Sequence, residues 1–367
     1  MTINLVIERF QTIWNQIQKT PTKIPTRVSI PRSHVDSGTA MGGTFQNNAH
    51  YFQVRINEMY LANSREWFSK YDPLIFVVSE FTYDKKFEAV PFIVGPTLIE
   101  KYGQKAPTGM VFSNTRVAGV HPYRGGRLTL SIILCRVQKE NYAKGLLRLV
   151  ENTTKIIDFS TALSTYIKLG GILLDGIETL FGLGGTESLI GIRRELDPDA
   201  GDIMEPGFFV LIDKPETQLD TNQLWVRDNQ LVYGSSPSEA KPFREADYVL
   251  YSIVQTSERQ DETTLPFYPL YERVKESAFN PSKNSPPQIK ANLLNLYQTL
   301  FLSPDLTPIQ ARKLFNSYVA EIKEIYKEAI GIGSLGTDEF DIGELDESDV
   351  SSNLDKVAKI LELDLTL

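Results

Sequence analysis

The stretch from Asn141 to Ile192 constrains the fold most, because it is the most apolar part of the chain and its apolar residues recur at helical spacing. The recurring residues are Ile156, Phe159, Leu163, Tyr166, Gly170, Leu173, Ile177 and Leu180. Sequence typical of β-strands lies on both sides of this stretch. We therefore predict a central apolar helical layer against which the rest of the chain packs.

The same stretch is not expected to cross a membrane. A spanning helix needs about 20 apolar residues with few charges. Charged side chains interrupt this one repeatedly, and its longest charge-free run extends only from Phe159 to Ile167. The sequence therefore predicts no transmembrane segment, although peripheral membrane contact stays open.

Short apolar runs bounded by turn residues predict the strands of an α+β protein, with an antiparallel β-sheet or sandwich. These runs are Tyr51–Asn57, Leu74–Phe81, Ala89–Val94, Leu128–Val137, Phe208–Ile212, Leu224–Val226, Leu231–Tyr233 and Tyr248–Val254. Residues 26–50 are expected to be irregular, since glycine and asparagine cluster there. Near the C-terminus, Thr307, Pro308 and Gln310 form a helix-start signal with a capping box.

The chain is accordingly divided into six regions. They are an amphipathic N-terminal helix at 1–20, the first part of a β-rich domain at 26–140, central apolar Gly-rich helices at 141–195, the second part of the β-rich domain at 196–256, a C-terminal helical hairpin at 268–332, and an acidic linker with a tail helix at 333–367.

Charge is distributed unevenly along the chain. Residues 337–367 hold ten acidic residues and two lysines, a net of −8 that equals the net charge of the whole chain. Residues 105–155 are basic instead. We predict that an anion or a partner binds the basic side chains of this segment, which are Arg124, Arg127, Arg136, Lys139, Lys144 and Arg148.

The tail carries a helical stripe beyond its acidic linker. The stripe consists of Val350, Leu354, Val357, Ile360 and Leu361. Because so short a helix is marginal alone in water, we predict that it docks into a groove of the same chain, of a second copy or of a different protein.

No sequence motif for catalysis or for metal binding was found. His34, His50 and His121 do not stand at ligand spacing. No cofactor, metal site or nucleic-acid partner is predicted. The one cysteine, Cys135, lies in an apolar run. It favours a reducing compartment, so we expect a cytoplasmic protein.

We predict a non-enzymatic interaction or assembly protein that docks a protein partner or self-associates. One alternative is a membrane-acting protein, pore-forming or membrane-docking, that uses the central Gly-rich helices. The other is a hydrolase whose site is discontinuous in sequence. An exposed His121 beside a carboxylate in a deep cleft would favour the hydrolase.

Overall fold

Antiparallel pairing dominates the first three-quarters of the chain. The structure, a computed structural model, describes residues 8–15, 24–36, 42–63, 65–66, 69–83, 86–95, 110–138, 163–182, 186–197, 201–202, 204–280 and 285–333. The strands are β1 (Thr26–Ile30), β2 (Tyr51–Tyr60), β3 (Arg65–Glu66), β4 (Ser69–Tyr83), β5 (Lys86–Val94), β6 (Met110–Pro122), β7 (Leu128–Gln138), β8 (Thr186–Leu196), β9 (Gly207–Ile212), β10 (Leu224–Arg227), β11 (Gln230–Tyr233), β12 (Lys241–Pro242) and β13 (Tyr248–Thr256). The helices are α1 (residues 8–15), α2 (Leu163–Gly182), α3 (Tyr268–Phe279), α4 (Ser285–Phe301) and α5 (Pro308–Gly333).

The strands form three sheets. The first sheet has five strands in the order β1-β9-β13-β2-β6. In the second sheet β4 lies between β7 and β5, and β8 follows β7 at the edge; β3 also pairs with the start of β4. The small sheet contains β10, β11 and β12. Antiparallel sheets together with helices confirm the predicted α+β class.

Strand β13 shows why apolar runs became strands here. Successive side chains of a strand point to opposite faces. Tyr248 and Leu250 join the hydrophobic cluster between the first sheet and the small sheet. Val249, Tyr251 and Ile253 join a larger cluster shared with the second sheet. Both faces are buried, so the strand is apolar at nearly every position.

A β-bulge in β2 changes which side chains face each cluster. Leu250 pairs with Glu58, whereas the next residue, Tyr251, pairs with Ile56. Asn57 is therefore an extra residue, and it reverses the alternation beyond it. Glu58 consequently lies on the face that carries the small sheet.

Helix α2 packs one face against the second sheet. Leu173, Leu174 and Ile177 belong to the larger cluster, while Ile172 and Glu178 are exposed. The helix ends near residue 182, and the structure differs from the predicted helical block 141–195 beyond that point. Residues 186–195 belong to β8 and pair with β7. Residues 141–162 lie outside the described part of the chain.

Five of the thirteen described strands were not predicted from the sequence: β1, β3, β6, β8 and β12. β1 lies in the segment expected to be irregular. β6 contains a polar stretch and pairs with β2 through several register shifts. At Gly119 its backbone has φ +98°, and a Cβ there would meet the backbone of Phe52 and Gln53.

The chain divides into two compact units. The first comprises Met1–Tyr268 and Phe301–Arg312, and the second comprises Pro269–Leu300 and Lys313–Leu367. In the second unit the rings of Tyr271 and Tyr318 stack at 3.9 Å, and Tyr297 meets Phe315 at 5.0 Å.

The helix start at Thr307 follows only half of the predicted capping box. The Thr307 hydroxyl accepts a hydrogen bond from the Gln310 backbone N–H at 3.2 Å. The Gln310 side chain instead pairs with the backbone of Arg259, which donates to it at 3.0 Å and accepts from it at 2.7 Å. The Thr307 N–H donates to the hydroxyl of Tyr51 at 2.8 Å.

Candidate functional site

The predicted basic residues that the structure describes have partners within the chain. The contacts are Arg124 Nη2 with the Leu306 carbonyl at 2.8 Å, Arg127 Nη1 with Glu195 Oε1 at 3.2 Å, and Arg136 Nη2 with Glu187 Oε2 at 2.7 Å. Lys139, Lys144 and Arg148 lie outside the described residues. Binding of an anion or partner by this set stays a prediction.

The structure does not describe the residues that were predicted to dock the tail helix. Val350, Leu354, Val357, Ile360 and Leu361 all lie outside the described residues, which end at 333. Docking of the tail helix therefore stays a prediction as well.

The histidines occupy three separate environments. His121 is buried, and its ring lies 4.7 Å from Phe81. Because it is buried rather than exposed, His121 does not meet the condition set for a hydrolase. Burial also lowers its pKa well below the usual value. His50 Nδ1 contacts the side-chain nitrogen of Gln255 at 2.9 Å. His34 stacks on Trp225 at 3.8 Å.

The described residues contain neither a metal-binding constellation nor a membrane-spanning helix. No three His, Cys, Asp or Glu side chains gather there in a way that could hold a metal ion. In the same part of the chain, no helix is long and apolar enough to cross a membrane.

A cavity of about 440 Å³ is lined by side chains of both five-stranded sheets. It lies where β1 and β8 form the edges of their sheets. The first sheet contributes residues from β1, β9 and β13, and the second contributes residues from β7 and β8. The strand pairing explains how the first sheet forms one wall of the cavity. Ser29 pairs with Phe209 and Phe209 pairs with Tyr251, so these three side chains lie on the same face of that sheet.

Arginines give this cavity a positive lining. Arg27, Arg32 and Arg194 line it, against one carboxylate, Glu205. Nη1 of Arg194 is buried and has no hydrogen-bond partner among the described residues. Guanidinium groups form strong hydrogen bonds with carboxylates and phosphates, so three arginines in one lining favour an anionic ligand.

Two aromatic rings lie beside the arginines. Phe209 and Tyr251 stack with centroids 5.3 Å apart, and the Arg27 guanidinium lies 4.8 Å from the centroid of Phe209. Arg27 Nε also donates to the Tyr251 hydroxyl at 3.4 Å. Burial raises the pKa of Tyr251, and the charge of Arg27 opposes this rise. The phenol therefore stays neutral at physiological pH.

A second cavity, of about 410 Å³, lies beside His34 and Trp225. Its arginine is already paired. Arg227 donates to the carbonyls of Pro237 and Ala240 at 3.1 and 3.2 Å. This cavity consequently lacks the unpaired buried donor that distinguishes the first one.

Sequence reasoning missed the first cavity because it misassigned the strands that carry it. Arg27 lies in the segment expected to be irregular, and Arg194 lies in the segment expected to be helical. A signal was present in the run from Thr26 to Ile30, where polar and apolar residues alternate as in a half-buried strand.

Comparison with models of known protein families and with curated proteins found no match for this chain.

Proposed function

We propose that this chain is a non-enzymatic binding protein whose arginine-lined cavity takes an organic anion. The observation that carries the proposal is that Arg194 and two further arginines line one cavity together with a single carboxylate, that of Glu205. Arg27 and Arg32 lie in the same lining. A ligand carboxylate or phosphate would pair with these guanidinium groups through charge-assisted hydrogen bonds.

The size and composition of the cavity support this proposal. A volume of about 440 Å³ falls in the range of small-molecule sites, roughly 300–1,000 Å³. Such sites combine apolar walls with a few convergent polar groups. The proposal keeps the predicted non-enzymatic role but replaces the predicted protein partner or self-association with a small organic anion. It also moves the binding site from Arg124, Arg127 and Arg136 to Arg194.

The proposal includes the arrangement of the two sheets and the cellular location of the protein. The two five-stranded sheets would form a sandwich, with α2 as its helical layer, because both sheets and the helix share one hydrophobic cluster. The cytoplasm remains the proposed location, since Cys135 is a free and buried thiol.

Binding of organic anions to the full chain tests the proposal. Octanoate, phenyl phosphate and naphthalene-2-sulfonate are titrated by calorimetry, with 1-octanol as the neutral comparison. We expect at least one anion to bind, and Arg194→Gln to weaken that binding about 10- to 150-fold, the effect of losing a charge-assisted hydrogen bond.

Arg127→Gln is the matched control, because Arg127 pairs with Glu195 and does not line the cavity. It should leave binding unchanged. Without ligand, Arg194→Gln should melt close to the wild type, since Arg194 is partly exposed and the charge of such a residue contributes little to stability. If no anion binds, or if Arg194→Gln binds as the wild type does, the proposal is wrong.

A further inference from the structure

The aliphatic side chains around this cavity offer little surface to a ligand. Leu130, Ile132 and Ile253 are 3%, 1% and 3% exposed, so they close the walls without being accessible to a bound molecule. The charged side chains are more accessible, since Arg27 and Arg194 are only half-buried. Recognition in this cavity therefore depends on charge more than on apolar contact.

The two half-buried arginines belong to different sheets. Arg27 is on β1 of the first sheet, where its guanidinium lies 4.8 Å from the centroid of the Phe209 ring and its Nε lies 3.4 Å from the Tyr251 hydroxyl. Arg194 is on β8 of the second sheet and pairs with Leu130 of β7, another residue of the lining. Each wall of the cavity thus carries one guanidinium group.

Among the residues that the structure describes, neither Arg27 nor Arg194 forms an ion pair with a carboxylate. Other arginines of the first unit do form ion pairs; they are Arg9, Arg127, Arg136, Arg193, Arg244 and Arg259. Like charges that share a partly buried cavity repel each other, because they are screened less than exposed charges are. The cavity therefore holds two positive charges that the protein itself does not compensate.

The other charged residues of the lining do not change this balance. Arg32 and Glu205 have opposite charges, and both are exposed to solvent. Three arginines less one carboxylate give the lining a net charge of +2. A ligand with one negative charge would leave one half-buried arginine uncompensated, whereas a ligand with two negative charges would compensate both.

From this arrangement we infer that the ligand is a small organic dianion, either a dicarboxylate or a phosphate monoester. These two classes share two negative charges and acceptor oxygens that pair with guanidinium groups. They differ in whether the charges lie on two groups or on one. This inference rests on the proposed function and adds the charge and the class of the ligand.

Calorimetry on the full chain at pH 8 tests the inference with two pairs of ligands that differ by one charge. Glutarate is compared with monomethyl glutarate, and phenyl phosphate with phenyl sulfate. A phosphate monoester carries two charges at this pH, because its second pKa is about 6. In at least one pair we expect the dianion to bind about tenfold more tightly or better, as for one additional charge-assisted hydrogen bond. A preference in the first pair identifies a dicarboxylate, and one in the second pair identifies a phosphate monoester.

Variants of the two arginines link this preference to the cavity. Arg27→Gln and Arg194→Gln should each weaken the dianion more than the monoanion and remove most of the preference, because each leaves one half-buried charge. Arg27→Lys keeps the charge and should retain the preference, which separates loss of charge from loss of packing on Phe209. Arg127→Gln, as the matched control outside the lining, should bind both members of each pair as the wild type does.

The outcomes separate this inference from the proposed function. If the monoanion of each pair binds as tightly as its dianion and binding still depends on Arg194, the inference is wrong and the proposed function stands. If no anion binds at all, the proposed function itself is wrong. A preference for the dianion that persists in folded Arg27→Gln and Arg194→Gln variants would also overturn the inference, since it would arise elsewhere on the protein.

Discussion

Glu58 is a buried carboxylate in the interior of the first unit. The bulge at Asn57 places it on the face that carries the small sheet, where none of its surface is exposed. Its Oε2 accepts a hydrogen bond from the Leu231 N–H at 2.7 Å, and Oε1 lies 3.7 Å from Nη1 of Arg244. Burial raises its pKa from the ordinary 4.5 to about 7, although these contacts oppose the rise.

This pKa makes the stability of the protein depend on pH. Because the pKa in the folded state lies above that in the unfolded state, the protonated carboxyl favours folding. Its contribution is complete below about pH 4.5 and is lost as the pH rises through about 7. We expect Glu58→Gln to remove this loss, which amounts to about 3 kcal/mol. Urea unfolding of the variant and the wild type at pH 5 and pH 8 measures it.

Glu195→Gln serves as the control for this experiment. Glu195 is an exposed carboxylate paired with Arg127, so its variant should keep the pH dependence of the wild type. Parallel pH profiles for Glu58→Gln and the wild type would contradict the assignment to Glu58.

At the scale of residues, local signals were predictable and long-range partners were not. The Thr307 cap follows from three adjacent residues, and the structure has its hydrogen bond. The Gln310 side chain was expected to close the capping box but pairs with Arg259, which is distant in sequence. Arg194 became notable only because folding places it beside Arg27 and Arg32 in one cavity lining, and no pattern along the chain encodes that.

At the scale of elements, α2 illustrates how one helix face is fixed by the sheet it covers. Leu173 is 1% exposed in the larger cluster, while its neighbour Ile172 is 53% exposed. On the outer side, Arg9 of α1 contacts Asp175 at 2.6 Å and Glu178 at 2.9 Å. These ion pairs are partly exposed and contribute little, so apolar packing holds the helix.

We expect Leu173→Asp to lower the free energy of unfolding by at least about 3 kcal/mol, because it replaces a buried leucine with an unpaired charge. Ile172→Asp is the matched control and should change it by less than about 1 kcal/mol. Chemical denaturation of both variants gives the comparison. An unchanged midpoint for Leu173→Asp would mean that this face of α2 is not buried.

Strands were predictable where burial on both faces leaves a continuous apolar run, as in β4, β7 and β13. They were missed where burial is partial or the backbone is irregular. β1 has only Val28 and Ile30 buried in the cluster beneath it, and β6 shifts register around Gly119. The helical prediction failed at β8 because its apolar residues follow directly after a helix of similar composition.

At the scale of the whole molecule, charge separates the last residues from the rest. Removing 337–367 removes ten acidic residues and two lysines and leaves a chain of zero formal net charge. All the described helices and strands end at or before Gly333. A 1–336 chain therefore keeps every described element.

We expect the 1–336 chain to melt within about 2 °C of the full chain, which corresponds to less than about 1 kcal/mol. Scanning calorimetry measures this. A chain ending at Ser317 is the comparison, since it loses the buried Tyr318, Ile322 and Tyr326 of α5 and should unfold with lower cooperativity. A large drop in melting temperature for the 1–336 chain would show that the tail contributes to the fold.

Strand β13 has a consequence for how the first unit opens. Its side chains alternate between two hydrophobic clusters, and it lies between β9 and β2 within the sheet. If one cluster opens, the side chains in the other cluster still hold this strand in the sheet. Release of β13 therefore requires both clusters to separate. Exchange of its backbone amide hydrogens with deuterium is therefore governed by opening of the unit as a whole, whereas edge strands such as β1 exchange through smaller openings.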